Sequence, residues 1–133
     1  MISGKFFLAI IVITIAITFI QWFFIGFLFH KYQALTPSVW RKESSRSYAA
    51  STIVSLFFAF MFTTIFYLWK TKYGVINFPD GIKFSVICWL GFSVTTEIGN
   101  AIYVNYSPIF VAGKCLSSLV EYIVAGIIIV ALL

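Results

Sequence analysis

Two glutamates, Glu97 and Glu121, each stand alone as the acidic residue of a long apolar stretch, Phe84–Tyr103 and Cys115–Leu133. A short turn around Tyr106, Ser107 and Pro108 separates the stretches. If both are membrane-crossing helices, an antiparallel hairpin brings the two carboxyls to the same depth, roughly 12 Å below the membrane surface at about 1.5 Å per residue, and level to within about two turns, roughly 11 Å. A carboxyl at such a depth is costly, and side chains of this kind mark ion and proton pathways. Two of them in low dielectric cannot both ionise cheaply. Proton or cation handling is the chemistry this pair could perform.

Other polar groups fall near the same level. With four alternating helices, the first and third loops lie on one side of the membrane. Counted inward from that side, Gln21, Ser55, Glu97 and Glu121 all come out about eight or nine residues deep. Asn100 is one helical turn from Glu97, and Ser117 is one turn from Glu121. The candidate substrate- or ion-binding set is therefore Glu97, Glu121, Gln21, Asn100, Ser117 and Ser55, with Lys114 nearer the pocket mouth. No residue is assigned a catalytic role. The competing reading is structural: a protonated glutamate bonded to Asn100, Ser117 or Gln21 locks helices together.

The elements that must position these groups follow from composition. The chain has 133 residues, is 62% hydrophobic and only 10% charged, with a mean hydropathy of +1.04. Soluble domains are about half apolar and about one quarter charged, so this is the composition of a membrane protein. Phe6–Phe29, Ser47–Trp69, Phe84–Tyr103 and Cys115–Leu133 each meet the need for about 20 residues to cross the hydrocarbon. The expected fold is all-α: an integral membrane four-helix bundle with short loops. Its helices cover about 6–29, 47–69, 84–104 and 113–133 of a single transmembrane domain spanning 1–133. The first apolar run is too long for a cleaved signal peptide, and no small-residue cleavage site follows it.

The net charge of +5 does not indicate nucleic acid. The Lys and Arg residues fall mostly at segment ends, where they favour phospholipid headgroups. Four of them are in the first loop and one in the third, against one in the N-terminal tail and three in the second loop. That distribution leans toward both termini outside, and the near-equal totals, five against four, leave dual insertion open as the alternative. Cys88 and Cys115 read as two small apolar thiols near opposite faces, too far apart for a disulfide. His30 is the only histidine, which excludes a His-based metal cluster and suits an interfacial imidazole.

Within the segments, spacing assigns faces. Thr14, Thr18, Gln21 and Ile25 share one side of the first helix. Ser51, Ser55, Ala59 and Thr63 recur every four residues in the second, a ridge where another helix can approach. In the third, Trp89, Ser93, Thr96, Glu97 and Asn100 share one face, while Gly91, Thr95 and Gly99 form a small-residue ridge on another. In the fourth, Lys114, Ser117, Ser118, Glu121 and Ala125 form one stripe; beyond Glu121 the helix is wholly apolar. Thr36-Pro37 reads as the start of a short surface helix carrying Trp40 as an interfacial anchor, and Asp80 as the cap of the third helix.

Gly26-Phe27-Leu28-Phe29 followed by Trp40, then Trp89-Leu90-Gly91-Phe92 and the stretch from Asn105 to Val130, resemble the pattern of a family of small bacterial membrane proteins. That family is the domain of unknown function 1761. The resemblance covers nearly the whole chain and implies four transmembrane helices. The chain departs from the pattern in lacking a tryptophan-tyrosine pair after Gly26. The family assigns no catalytic residues, so none is carried over.

The leading functional expectation is proton- or cation-linked membrane transport through a polar pocket holding the two glutamates. The alternative is a non-catalytic membrane scaffold or partner subunit. An enzyme comes third, since the sequence holds no metal cluster, no nucleophile–base pair and no phosphate-binding glycine loop. No cofactor is implied. The expected partners are the lipid bilayer and further copies of the chain, with no nucleic acid, in the inner membrane of a bacterium.

Overall fold

Chain punctuation delimits four long helices. The computed structural model describes residues 3–74 and 76–133. Helix α1 spans Gly4–Leu28, α2 Ser45–Tyr73, α3 Phe78–Tyr103 and α4 Pro108–Leu132, and each is long and apolar enough to cross a membrane. No strand occurs among the described residues. The protein is an all-α, four-helix bundle.

Several helix ends run past the boundaries that hydropathy marks, because polar residues finish the turns. Ser44 and Ser47 exchange side-chain and backbone hydrogen bonds in a capping box that starts α2. This satisfies N–H groups that would otherwise be orphaned. Lys70 and Lys72 occupy the last turn of α2, where the helix dipole favours cations. Gly74 then ends it with φ of 91°, a conformation that only glycine adopts at low cost.

Helix α3 begins six residues earlier than expected and its cap is Asn77, whose Oδ1 accepts from the backbone N–H of Asp80 at 2.9 Å. Asp80, expected as the cap, instead sits in the first turn, where its charge still suits the dipole. The surface helix expected after Thr36 is a single 3₁₀ turn, Pro37–Val39. Trp40, expected as an interfacial anchor, has partners within the protein. Its ring packs against Tyr106 at 5.2 Å and Phe110 at 5.0 Å, so the first and third loops meet on one side of the bundle.

Helix α4 packs against all three others. Toward the second loop the interior is solid. Phe6, Ala9, Ile10 and Ile13 of α1 join Ala59, Phe62 and Phe66 of α2 and Ala125 and Ile129 of α4 in one buried core. Helices α2 and α3 meet there through aromatic rings, with Trp69 stacked on Phe84 at 4.7 Å and Phe66 edge-on to Phe84 at 5.1 Å. The α2 ridge serves this packing with Ser55, Ala59 and Thr63, while Ser51 is exposed. Outward faces carry exposed apolar side chains such as Phe7, Ile15, Phe19 and Phe57, which lipid tails would solvate.

Two stretches depart from α-helical winding: Trp22–Leu28 in α1 and Trp89–Val94 in α3 are π-helical. Such segments widen a helix locally and often accompany functional sites. Both lie beside the cavity described next.

Candidate functional site

Toward the first loop the four helices part around a cavity of about 1010 Å³. Every helix contributes polar groups to its wall: Thr18 and Gln21 from α1, Ser51 and Ser55 from α2, Ser93 and Glu97 from α3, and Lys114, Ser117 and Glu121 from α4. At one end it is lined by His30, Gln33 and Glu43 of the first loop. At the other, Ile17, Phe58 and Tyr122 form a floor above the aromatic core.

The innermost polar cluster is centred on Glu121, 9% exposed. The Ser117 hydroxyl, one turn earlier on α4, donates to Glu121 Oε1 at 2.8 Å. The Gln21 amide of α1 donates to Oε2 at 3.2 Å. Both carboxyl oxygens thus hold neutral donors, a hydrogen-bonding arrangement that buried polar groups require. Gln21 leads into the π-helical segment of α1. The other polar groups of that face are met locally: Thr14 and Thr18 hydroxyls donate to the carbonyls of Ile10 and Thr14, both at 2.8 Å.

A second cluster lies nearer the third loop. Lys114 Nζ stands 2.7 Å from Glu97 Oε2, with side chains 29% and 17% exposed. The contact supplies charge compensation without an aligned hydrogen bond, since Oε2 has no properly oriented donor. Between the clusters, the Ser93 hydroxyl donates to Ser118 Oγ at 2.7 Å. The Trp89 indole N–H is shared between the Cys115 carbonyl at 2.9 Å and Ser118 Oγ at 3.0 Å. These short links join the α3 and α4 stripes that the spacing had separately marked.

The two carboxyls stand two turns apart along the helix axis, at the limit of the spacing expected of them. Glu97 lies six residues before the end of α3 at Tyr103, whereas Glu121 lies thirteen residues after the start of α4 at Pro108. The offset of seven residues is two turns, roughly 10 Å along the axis. The Ser93–Ser118 contact between short side chains fixes the same register. Counting from the sequence centred the turn too late, on Tyr106–Pro108; Pro108 is already the first residue of α4. The glutamates therefore form two steps of one polar wall, one near the mouth and one near mid-helix.

Of the residues expected at the site, Gln21, Ser55, Glu97, Ser117 and Glu121 line the cavity, and Ser55 is buried. Lys114, expected nearer the mouth, reaches in to Glu97. Asn100 does not line the cavity and is exposed. The Thr95–Tyr103 part of α3 buries no residue fully, so one turn beyond Glu97 there is no wall for Asn100 to join. Glu43, His30 and Tyr48 also line the cavity, and no spacing argument pointed to them. The signal for Glu43 was its isolation as the one acid among the cations of the first loop. The Tyr48 hydroxyl donates to Glu43 Oε2 at 2.6 Å and holds it there. Cys88 and Cys115 are both free thiols.

Fold and site together define a class: a helical bundle of four membrane-length spans, closed at one end and opening at the other into an acid-bearing cavity. Within that class, the chain belongs to the family described as protein of unknown function DUF1761, whose model matches residues 8–130. No curated protein and no solved structure matches it.

Proposed function

We propose that this protein moves protons or cations across a membrane through the cavity. Glu121 binds and releases the transported charge, and the Glu97–Lys114 pair stands on the way to it. One observation carries the reading: a mid-helix carboxyl lines a large cavity and is held only by the neutral donors Ser117 and Gln21. A carboxylate without a resident cation can accept a proton or a cation without first breaking an ion pair.

The reading makes the protein a transporter and not an enzyme. Its place would be a bacterial inner membrane, as the family resemblance implies, with both termini outside. Assembly of several copies suits the exposed Gly91 and half-buried Gly99 of α3, where an added Cβ would meet nothing within 4 Å and another helix could approach closely.

A second reading, a membrane scaffold, is favoured by the completeness of the Glu121 hydrogen bonding, which is also what a packing lock needs. Reconstituted into proteoliposomes, the parent protein should carry a pH-gradient-driven cation flux. Glu121→Gln keeps size and hydrogen bonding but removes ionisation, so it should stay folded and lose that flux. Glutamine variants with unaltered flux, or no flux in the parent for any cation tried, would leave the scaffold reading ahead.

A further inference from the structure

The cavity is much larger than an ion requires. At about 1010 Å³ it stands at the top of the range of small-molecule sites, about 300–1,000 Å³. Its charges are also sorted against the composition of the chain. Of four acidic residues, three line it (Glu43, Glu97 and Glu121), whereas of nine Lys and Arg only Lys114 does. Lys114 is already committed to Glu97. Among the described residues, neither Glu121 inside nor Glu43 toward the first loop has a cation at ion-pair distance.

Between its neutral polar groups the wall carries aromatic rings from all four helices, Trp22, Phe58, Phe92 and Tyr122. Ring faces attract cations and also accept apolar groups. No group of three His, Cys, Asp or Glu side chains among the described residues could hold a metal ion. The combination matches a charge that carries its own apolar coat.

We infer that the cavity binds a hydrophobic organic monocation, its charged centre beside Glu121 and its apolar groups against Trp22, Phe58, Phe92 and Tyr122. The inference rests on reading the cavity as the transport site, and it names the class of substrate. One charge is specified because one interior carboxyl lacks a cationic partner.

Tetraphenylphosphonium and tetraphenylborate are matched in size and shape and opposite in charge. Equilibrium dialysis of each against the purified protein in detergent, with empty micelles subtracted, separates charge recognition from apolar partitioning. Saturable phosphonium binding is expected, with borate at least about tenfold weaker, a factor that one desolvated charge contact readily supplies. Glu121→Gln should weaken phosphonium binding by about tenfold or more. Equal binding of the two ions, no saturable phosphonium binding, or an unchanged affinity in Glu121→Gln would each overturn the inference. The comparison of the two ions in the unaltered protein needs no variant to fold. Flux of small cations without phosphonium binding would overturn this inference and leave the transport reading standing. Phosphonium binding without flux of any cation would leave the site and remove the transport reading.

Discussion

The two ends of the bundle are built from the same four helices and are packed in opposite ways. At the second-loop end, α3 and α4 approach almost backbone to backbone. A Cβ added at Gly126 would collide with Ser85 Oγ and lie 3.0 Å from the Gly81 carbonyl, and one added at Gly81 would lie 2.6 Å from Val130. At the first-loop end the same two helices are bridged by long side chains, Lys114 and Glu97. Small residues set the distance at one end and large ones keep it at the other. The helices therefore diverge from the Gly126 contact, and the space that opens becomes the cavity. The closed end supplies rigidity, which lets the open end hold charged groups in place.

The strongest way to break this comparison is to remove the close contact. Gly126→Ala should destabilise the protein by about 1–3 kcal/mol, as overpacking of a filled interior does, and lower its thermal unfolding temperature in detergent. Adding Ser85→Ala to the same chain should recover part of the loss. It removes the Oγ that collides and leaves Ser85 Cβ at an ordinary 3.4 Å. A Gly126→Ala protein as stable as its parent would show that the closed end is not the pivot.

The architecture was legible because membrane spans declare themselves by length and hydropathy, and the α3 and α4 stripes by spacing. What could not be read was how far along each other the stripes would slide. Register depends on where the turn closes, and in this chain that is decided by Pro108 opening α4 four residues after Val104 begins the loop. A shift of a few residues there set the two carboxyls two turns apart, the full extent of the spacing expected of them. The partner of Glu97 was hidden for a related reason. Lys114 counts as a loop charge in sequence, yet its long side chain turns inward. Once it is committed to Glu97, Lys and Arg on the two sides of the membrane number four and four, so the local contrast across α1 alone favours external termini. The π-helical segments Trp22–Leu28 and Trp89–Val94 left no mark in spacing or hydropathy.

The open end can be tested through its ion pair. Lys114→Met should leave Glu97 beside the cavity without charge compensation. Removing one partner of a fully buried pair costs several kcal/mol. This pair is partly exposed, so solvent screening brings the expected loss to about 1–2 kcal/mol. Adding Glu97→Gln should return most of it, because no isolated charge remains. Thermal unfolding of the two single variants and the double variant forms a complete cycle. Additive losses in that cycle would mean the two side chains do not act as a pair.

The smallest expected effect is at Asn100, and it marks where the cavity wall stops. Asn100 lies on the helical face of Glu97, yet its side chain is exposed in the part of α3 that buries no residue fully. Its backbone carbonyl accepts from Val104 at 2.9 Å as α3 ends, a bond that no substitution of the side chain removes. Asn100→Leu should therefore change stability by no more than about 0.5 kcal/mol, the range of surface substitutions away from special features. Cation flux and phosphonium affinity should both match the parent. The contrast is with Ser117→Ala, which removes a donor to Glu121 and should cost about 1 kcal/mol while altering flux. An Asn100→Leu protein that lost flux at unchanged stability would extend the site one turn toward the third loop, placing α3 closer to its neighbours at that end than the parted helices described here.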